Sequence, residues 1–482
     1  MKLTRENITV PAKPIRIVQF GEGNFLRAFI NWMIQEMNEK ANFDAGVAVV
    51  QPIPQGLGEL VNAQDGLYHL YLKGIEKGEL INKRQLIDCI QKVINPYENY
   101  QDYLDLAKED SLQFVFSNTT EAGISYNEND TLEHIQNSFP TKLTALLYQR
   151  FSHFNGDEKK GLTILPCELI DKNGQTLKEI ILKHATDWEL SAAFKSWINS
   201  ACTFYNTLVD RIVPGFPKDR IEEIHEELGY EDQLVVEGEQ FHLFVIEGDS
   251  KIKDILPTEE VGLNVIVTNN QAPYRSRKVR ILNGAHTCLV PLGLLSGLET
   301  VKEGVDDKEV GSFLESIIKN EIVPSLPASE GIEEFANDVL DRFRNPFIKH
   351  YLKSISLNSF PKFNTRVLPS IVSFHQKNGS FPQGILTSFA SLIKLYDPKN
   401  LKEFKPQDNQ EIIDLLANLW ADFYINGSTD FEIIIEGVLS ATYIWGQNLN
   451  ELEGLQIQLS QNLKQIHNEG ISSLIEEKFS LS

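Results

Sequence analysis

The stretch Ile15-Arg16-Ile17-Val18-Gln19-Phe20-Gly21-Glu22-Gly23-Asn24 decides the fold. Its first six residues are a short, β-branched apolar run. After the two glycines, Phe25, Leu26, Phe29, Ile30, Met33 and Ile34 recur with a helical period. A strand, a tight glycine turn and a helix start can together receive a pyrophosphate on free N–H groups. Leu26 stands where the usual G-x-G-x-x-G pattern has its third glycine, and an ordinary glycine turn is the competing reading. Phe20, Gly21, Gly23, Asn24 and Phe25 are the candidate nucleotide contacts. Arg27 is either a phosphate neutraliser or a plain exposed helix residue.

Outward from this motif, short apolar runs alternate with helical patterns, as a parallel sheet with crossover helices requires. Strands are expected at Ile15–Phe20, Val47–Val50, Gln113–Ser117, Leu162–Pro166 and Leu263–Val267, with helices at Phe25–Lys40 and Gln175–Ala185. Beyond Asn269 the pattern becomes mostly helical, as at Asp307–Asn320, Ile332–Arg344, Pro382–Leu395 and Gln410–Ile425. The expected class is α/β: a Rossmann-like nucleotide-binding domain over residues 1–268 and a mainly α-helical substrate and catalytic domain over 269–482. An active site is expected in the crevice between them.

A chain of 482 residues exceeds what one hydrophobic core usually serves, which agrees with two domains. With 42% hydrophobic and 23% charged residues it has the composition of a soluble globular protein. No apolar run has membrane-spanning length and Met1–Pro14 has no signal-peptide stretch, so a cytoplasmic location is expected. The net charge of −22 opposes nonspecific binding to nucleic acid or to an anionic membrane. It also means that an anionic ligand needs a local cationic cluster. The four cysteines form no Cys-x-x-Cys pair, and the ten histidines form neither His-Glu-x-x-His nor His-x-His, so no metal site is expected. Oligomeric state is left open, a monomer being compatible with everything above.

Gln51 occupies the end of the second strand, where an acidic residue normally grips the adenine ribose. No neighbouring Arg or Lys advertises a 2′-phosphate pocket, so NAD is favoured over NADP. Asn118 and Thr119 follow the strand Phe114–Ser117, at a carboxyl end of the kind that lines a nucleotide crevice, although the same residues also make an ordinary turn and cap.

The run Arg277-Lys278-Val279-Arg280-Ile281-Leu282-Asn283-Gly284-Ala285-His286 carries the chemistry. On a helix, Lys278, Asn283 and His286 fall within about two turns, so three polar side chains converge on one oxygen. Hydride transfer to a ketone needs a proton for the developing alkoxide and donors to stabilise it. A half-buried lysine beside cationic neighbours suits the acid/base task, with Asn283 and neutral His286 as the donors. A solvated lysine above a core histidine is the bland alternative.

Lys278-x4-Asn283-x2-His286 resembles the catalytic signature of the polyol-specific long-chain dehydrogenases, the mannitol dehydrogenase family. Phe204-Tyr205-Asn206-Thr207-Leu208-Val209-Asp210-Arg211-Ile212-Val213-Pro214 resembles its second signature, and Gly21-x-Gly23-Asn24-Phe25-x-Arg27-Ala28 its nucleotide motif. The resemblance implies a nicotinamide cofactor, no zinc, Lys278 as general acid/base, Asn283 and His286 as the polarising pair, and Asp210 on a substrate hydroxyl. For Asp210 an ion pair that only shapes the crevice is the equal alternative.

Many members of that family carry Cys-Asp-Asn where this chain has Cys167-Glu168-Leu169, so Leu169 replaces an asparagine near the reacting carbon. This variant resembles the sugar-acid-reducing branch. So do Ser117-Asn118-Thr119-Thr120-Glu121-Ala122-Gly123-Ile124 and Lys362-Phe363-Asn364-Thr365-Arg366-Val367-Leu368-Pro369-Ser370. Ser354 takes the place of an Arg that a polyol enzyme has eight residues before Lys362. The implied substrate is a small sugar acid reduced with NADH, and Lys362 and Arg366 are the candidate cations for its carboxylate. A helix cap or structural ion pair is the other reading of Arg366. A non-catalytic NAD-binding sensor would not need Lys278, Asn283 and His286 together.

Overall fold

The computed structural model describes residues 2–76, 79–119, 123–132, 137–329, 331–347, 349–400 and 404–480. They fall into two compact units, Met1–Gln271 and Ala272–Ser482. Thr120, Glu121 and Ala122 of the Ser117–Ile124 stretch lie outside the described residues.

The strands of the first unit, in chain order, are β1 (Ile15–Phe20), β2 (Gly46–Val50), β3 (Tyr68–Glu76), β4 (Glu79–Ile87), β5 (Ile90–Ile94), β6 (Phe114–Ser117), β7 (Thr163–Pro166), β8 (Thr203–Phe204), β9 (Asn206–Asp210), β10 (Val236–Glu239), β11 (Leu243–Glu247) and β12 (Val265–Thr268). Six of them form a parallel sheet in the order β5-β2-β1-β6-β7-β8. This is the 3-2-1-4-5-6 order of dinucleotide-binding sheets. The chain leaves β1 toward β2 and β5, then returns to β1's other side as β6. Order therefore reverses between β1 and β6, and their carboxyl ends frame the crevice where such sheets take ligands.

The sheet is buried on both faces, which is why its strands read as apolar runs. Ile17, Val47, Val49, Phe114 and Phe116 enter one core layer, while Val18, Phe20, Ala48, Val50 and Val115 enter the other. The strand expected at Leu263–Val267 lies elsewhere. It forms as β12, parallel to β11 in a separate three-stranded sheet whose third member, β9, is antiparallel to β11. A third sheet, β10-β3-β4, had no counterpart in the sequence reading. Most of β4 is exposed, and Glu-Leu-Ile-Asn-Lys-Arg-Gln-Leu-Ile shows no clean alternation to announce it.

The helix expected over Phe25–Lys40 is two helices, Asn24–Ala28 and Ile30–Lys40, broken at Phe29 with φ −121° and ψ −76°. The cause is competition for carbonyls. Tyr68 Oη donates to Arg27 O at 2.7 Å and the Arg211 guanidinium donates to Ala28 O, so two acceptors of the helical ladder are taken from outside.

In the second unit the helix Gly284–Leu295 is buried over nearly all its length and packs against Gln383–Leu395, which packs on Leu455–Glu469. No described helix in either unit is long and apolar enough to cross a membrane.

Candidate active site

In the first unit, the candidate cofactor crevice is the turn after β1. Gly21 has φ +112°, and a Cβ there would lie 2.9 Å from Asn118 O, so only glycine lets the turn press against the end of β6. Gly21 N donates to Val50 O at 3.1 Å, and Asn118 N to Phe20 O at 3.1 Å, tying the ends of β2, β1 and β6 together. Gly23 differs, since a Cβ there would meet nothing within 4 Å. Its bare backbone faces open space.

Several side chains named from sequence serve the frame of this crevice. Phe20 is fully buried and packs on Tyr103 and Phe139, so only its backbone borders the turn. Arg27 is not an exposed helix residue. It is 2% exposed, and its guanidinium donates to Glu22 O, Asn24 Oδ1 and Leu234 O while lying over the Tyr68 ring. Its donors hold the turn to the chain before β10, and burial lowers its pKa. Phe25 stacks on Phe29 with centroids 5.1 Å apart. Gln51 is buried with its amide spent on a loop, donating to Ile53 O and Pro54 O and accepting from Gly58 N.

At β6, Asn118 Nδ2 donates to Cys167 O at 2.7 Å. Thr119 N and Oγ1 both donate to Glu168 Oε1 at 3.0 Å, while Ser117 Oγ donates to Glu168 Oε2 at 2.9 Å. Burial pushes the Glu168 carboxyl up, and these donors pull it back. The sequence reading quoted Glu168 without seeing this role. Its one available signal was an acid at the carboxyl end of a parallel strand. Leu169 beside it is 51% exposed, an apolar side chain turned to solvent. Asp210 is 4% exposed at the end of β9, and its neighbour Arg211 donates to Ala28 O, Gln240 O and Phe241 O.

In the helical unit, the candidate catalytic residues start at Lys278. Lys278–Asn283 is a π-helical turn between the α-helices Ala272–Arg277 and Gly284–Leu295, not the regular helix expected. Such insertions recur at functional sites because widening the ladder re-aims side chains. Arg280 anchors the turn, donating to Ser370 Oγ, Ser325 O and Oγ, and Pro369 O. Lys278 and Asn283 at its two ends are half-buried.

His286 follows one α-helical step beyond Asn283 and is 7% exposed. Its ring lies 4.0 Å from Phe343 and meets His350 edge-on at 5.0 Å. Burial, then the neighbouring His350, Arg342 and Arg366, hold its pKa well below the ordinary value, against a hydrogen bond to the Leu282 backbone. The imidazole is therefore neutral. Its Nε2 is buried without a partner, so Nδ1–H is what donates to Leu282 O, and Nε2 is left as an acceptor. In this tautomer His286 does not present the N–H donor that the sequence suggested; its unbonded ring nitrogen can accept a hydroxyl's hydrogen bond.

A pH dependence follows. In the unfolded chain His286 has an ordinary pKa near 6.5. Below that value and above its depressed folded value the unfolded state binds more protons, so stability is lost as pH falls. A His286→Gln variant is expected to lose about 1–2 kcal/mol less than the parent in urea unfolding between pH 7 and pH 5. Equal pH slopes would show that the ring charges freely when folded.

Within the same unit the helix Ser359–Arg366 packs on Gly284–Leu295 and on the π-turn. A Cβ on Gly284 would lie 3.1 Å from Arg366 O, so the end of that helix abuts the π-turn. Lys362 and Arg366 stand one turn apart on it, and Lys362 Nζ donates to Ile355 O at 2.8 Å. Burial and the charge of Arg366 lower the Lys362 pKa against the pull of Asp408, and Lys362 in turn disfavours a charged His350. Ser354 is exposed. The structure thus gathers His286, Arg366 and Lys362 from the sequence reading and adds His350, Arg342 and Phe343. No local motif marked these last three.

Comparison with known proteins covers both units. Residues 15–258 match the mannitol dehydrogenase Rossmann domain, and residues 270–467 match the mannitol dehydrogenase C-terminal domain. The altronate oxidoreductase of Bacteroides thetaiotaomicron is 44% identical over 474 residues, covering 97% of this chain and 98% of that protein. That of Bacillus subtilis is 44% identical over 466 residues, covering 96% and 95%. Among solved structures, a D-sorbitol dehydrogenase in substrate-free form superposes with a TM-score of 0.81 at 21% identity, covering 98% of this chain and all of that one. Pseudomonas fluorescens mannitol 2-dehydrogenase, solved with NAD and D-mannitol, gives a TM-score of 0.72 at 20% identity with both chains fully covered. The chain belongs to the mannitol dehydrogenase family.

Proposed function

We propose that this protein is a cytoplasmic, metal-independent reductase that interconverts D-tagaturonate and D-altronate with NADH, a step of hexuronate breakdown. An oxidoreductase acting on a CH–OH group follows from its near full-length likeness to altronate oxidoreductases. The observation that carries the sugar-acid reading is the gathering of Arg342, Lys362 and Arg366 around a buried neutral histidine, in a chain of net charge −22. Like charges one helical turn apart repel each other. An anionic substrate turns that cost into binding.

The crevice suits a nicotinamide dinucleotide. Gly21 needs its positive φ, Gly23 leaves the backbone open where a diphosphate approaches, and one buried carboxylate oxygen of Glu22 lacks a partner. When bound, the nicotinamide supplies or accepts the hydride. In reduction, Lys278 gives a proton to the developing alkoxide and the Asn283 amide donates to the same oxygen. His286 Nε2 accepts from a neighbouring substrate hydroxyl and orients it. In oxidation, Lys278 takes the alcohol proton.

Gly23→Asp should weaken NADH binding by about tenfold or more, since a carboxylate there repels the diphosphate. A Cβ at this position meets nothing, so the fold should survive. Unchanged affinity in the folded variant would place the nucleotide elsewhere. The function itself is tested by steady-state rates with NADH on tagaturonate, fructuronate and fructose, with and without EDTA. Preference for fructose, or loss of activity with EDTA, would overturn it.

A further inference from the structure

At the carboxyl end of β2, where a dinucleotide-binding sheet normally presents an acidic ribose reader, Gln51 is uncharged, with both amide hydrogens and one acceptor position engaged by the fold. Its Nε2 donates to Ile53 O and Pro54 O at 2.9 Å each, and its Oε1 accepts from Gly58 N at 3.1 Å. A carboxylate reaches the same loop from the glycine turn instead. Glu22 is 8% exposed, and its Oε1 accepts from Leu57 N at 3.2 Å. The loop closes so tightly over it that a Cβ on Gly56 would lie 2.1 Å from Glu22 Oε1. The other oxygen, Oε2, is buried with no hydrogen-bond partner.

A buried acceptor without a donor is costly, and a ligand that brings a donor relieves the cost. Of the groups a nicotinamide dinucleotide carries near this end of the sheet, the diphosphate only accepts, whereas a ribose hydroxyl donates. Burial raises the Glu22 pKa, while the Leu57 N–H and the Arg27 charge favour the carboxylate.

We propose that Glu22 Oε2 accepts a hydrogen bond from the 2′-hydroxyl of the adenosine ribose, and that its charge excludes a 2′-phosphate. Selectivity for NAD over NADP then resides in the glycine turn and not at the end of β2. This rests on the reading that the first unit binds a nicotinamide dinucleotide.

The test is fluorescence titration of NADH, NADPH and 2′-deoxyadenosine NADH against the parent, Glu22→Gln and Glu22→Ala, with thermal melts to confirm folding. The parent should bind NADH about tenfold or more tighter than NADPH, and also tighter than the 2′-deoxy analogue. Glu22→Gln, which keeps the shape and the Leu57 acceptor, should shift the NADH:NADPH affinity ratio about tenfold toward NADPH. Glu22→Ala should bind NADH and its 2′-deoxy analogue equally. Proportional weakening of NADH and NADPH, or an unchanged ratio, would make Glu22 a loop brace only and overturn the proposal. A parent that binds neither dinucleotide would overturn the nucleotide reading itself.

Discussion

Replacing Lys278 with alanine is expected to slow turnover by about 10²–10⁴-fold, the usual worth of a positioned general acid, while NADH affinity stays within about twofold of the parent. The expectation comes from the π-turn. At 3.6 residues per turn, Asn283 would overshoot Lys278 by about 0.4 of a turn. Hydrogen bonds that span five residues widen the turn and return Asn283 to the side of Lys278. Arg280, bonded to Ser325, Ser370 and Pro369, fixes the turn in that shape. In the proposed reaction both donate to one substrate oxygen. Alanine removes the proposed proton source and leaves Gly21, Gly23 and Glu22 of the first unit unchanged. A variant that keeps most of its rate would remove Lys278 from the mechanism. A parallel loss of NADH affinity would make it a binding residue.

The parts that were readable in the sequence are those in which local pattern and tertiary demand coincide. The run from Ile15 to Phe20 forms β1 because a doubly buried parallel strand must be apolar, and Gln410–Ile425 is helical as expected because its periodic residues bury Ile412, Leu416, Trp420 and Phe423. Where a distant residue wins, the pattern misleads. The helix after the glycine turn breaks at Phe29 because Tyr68 and Arg211, far along the chain, capture its carbonyls. Arg27 and Gln51 carry the right groups for nucleotide binding, yet carbonyls of the fold consume their donors. The Lys278, Asn283, His286 motif was visible, but the π geometry between its first two members was not, since no hydrophobic period distinguishes a widened turn from an α-helix. His350 and Arg342 were invisible because they reach His286 through tertiary packing alone.

Arg366→Ala and Lys362→Ala are each expected to lower kcat/KM for tagaturonate by about 2–5 kcal/mol of transition-state stabilisation, roughly 30-fold to several thousand-fold. A neutral ketose should lose far less. The site already contains the repulsion that an anion would relieve: Arg366 lowers the pKa of Lys362, Lys362 that of His350, and both His350 and Arg366 that of His286. Removing one cation relaxes that repulsion, so the neutral substrate is spared. The carboxylate loses its partner. Lys362 spends a donor on Ile355 O, but an ammonium has three, and two remain for a ligand. Arg366→Lys should restore only part of the loss, because an ammonium lacks the planar fork that binds a carboxylate at two points. If Arg366 merely ended its helix or made a structural ion pair, its loss would lower kcat/KM equally for both substrates and shift the melting temperature. That outcome would leave the carboxylate without its proposed site.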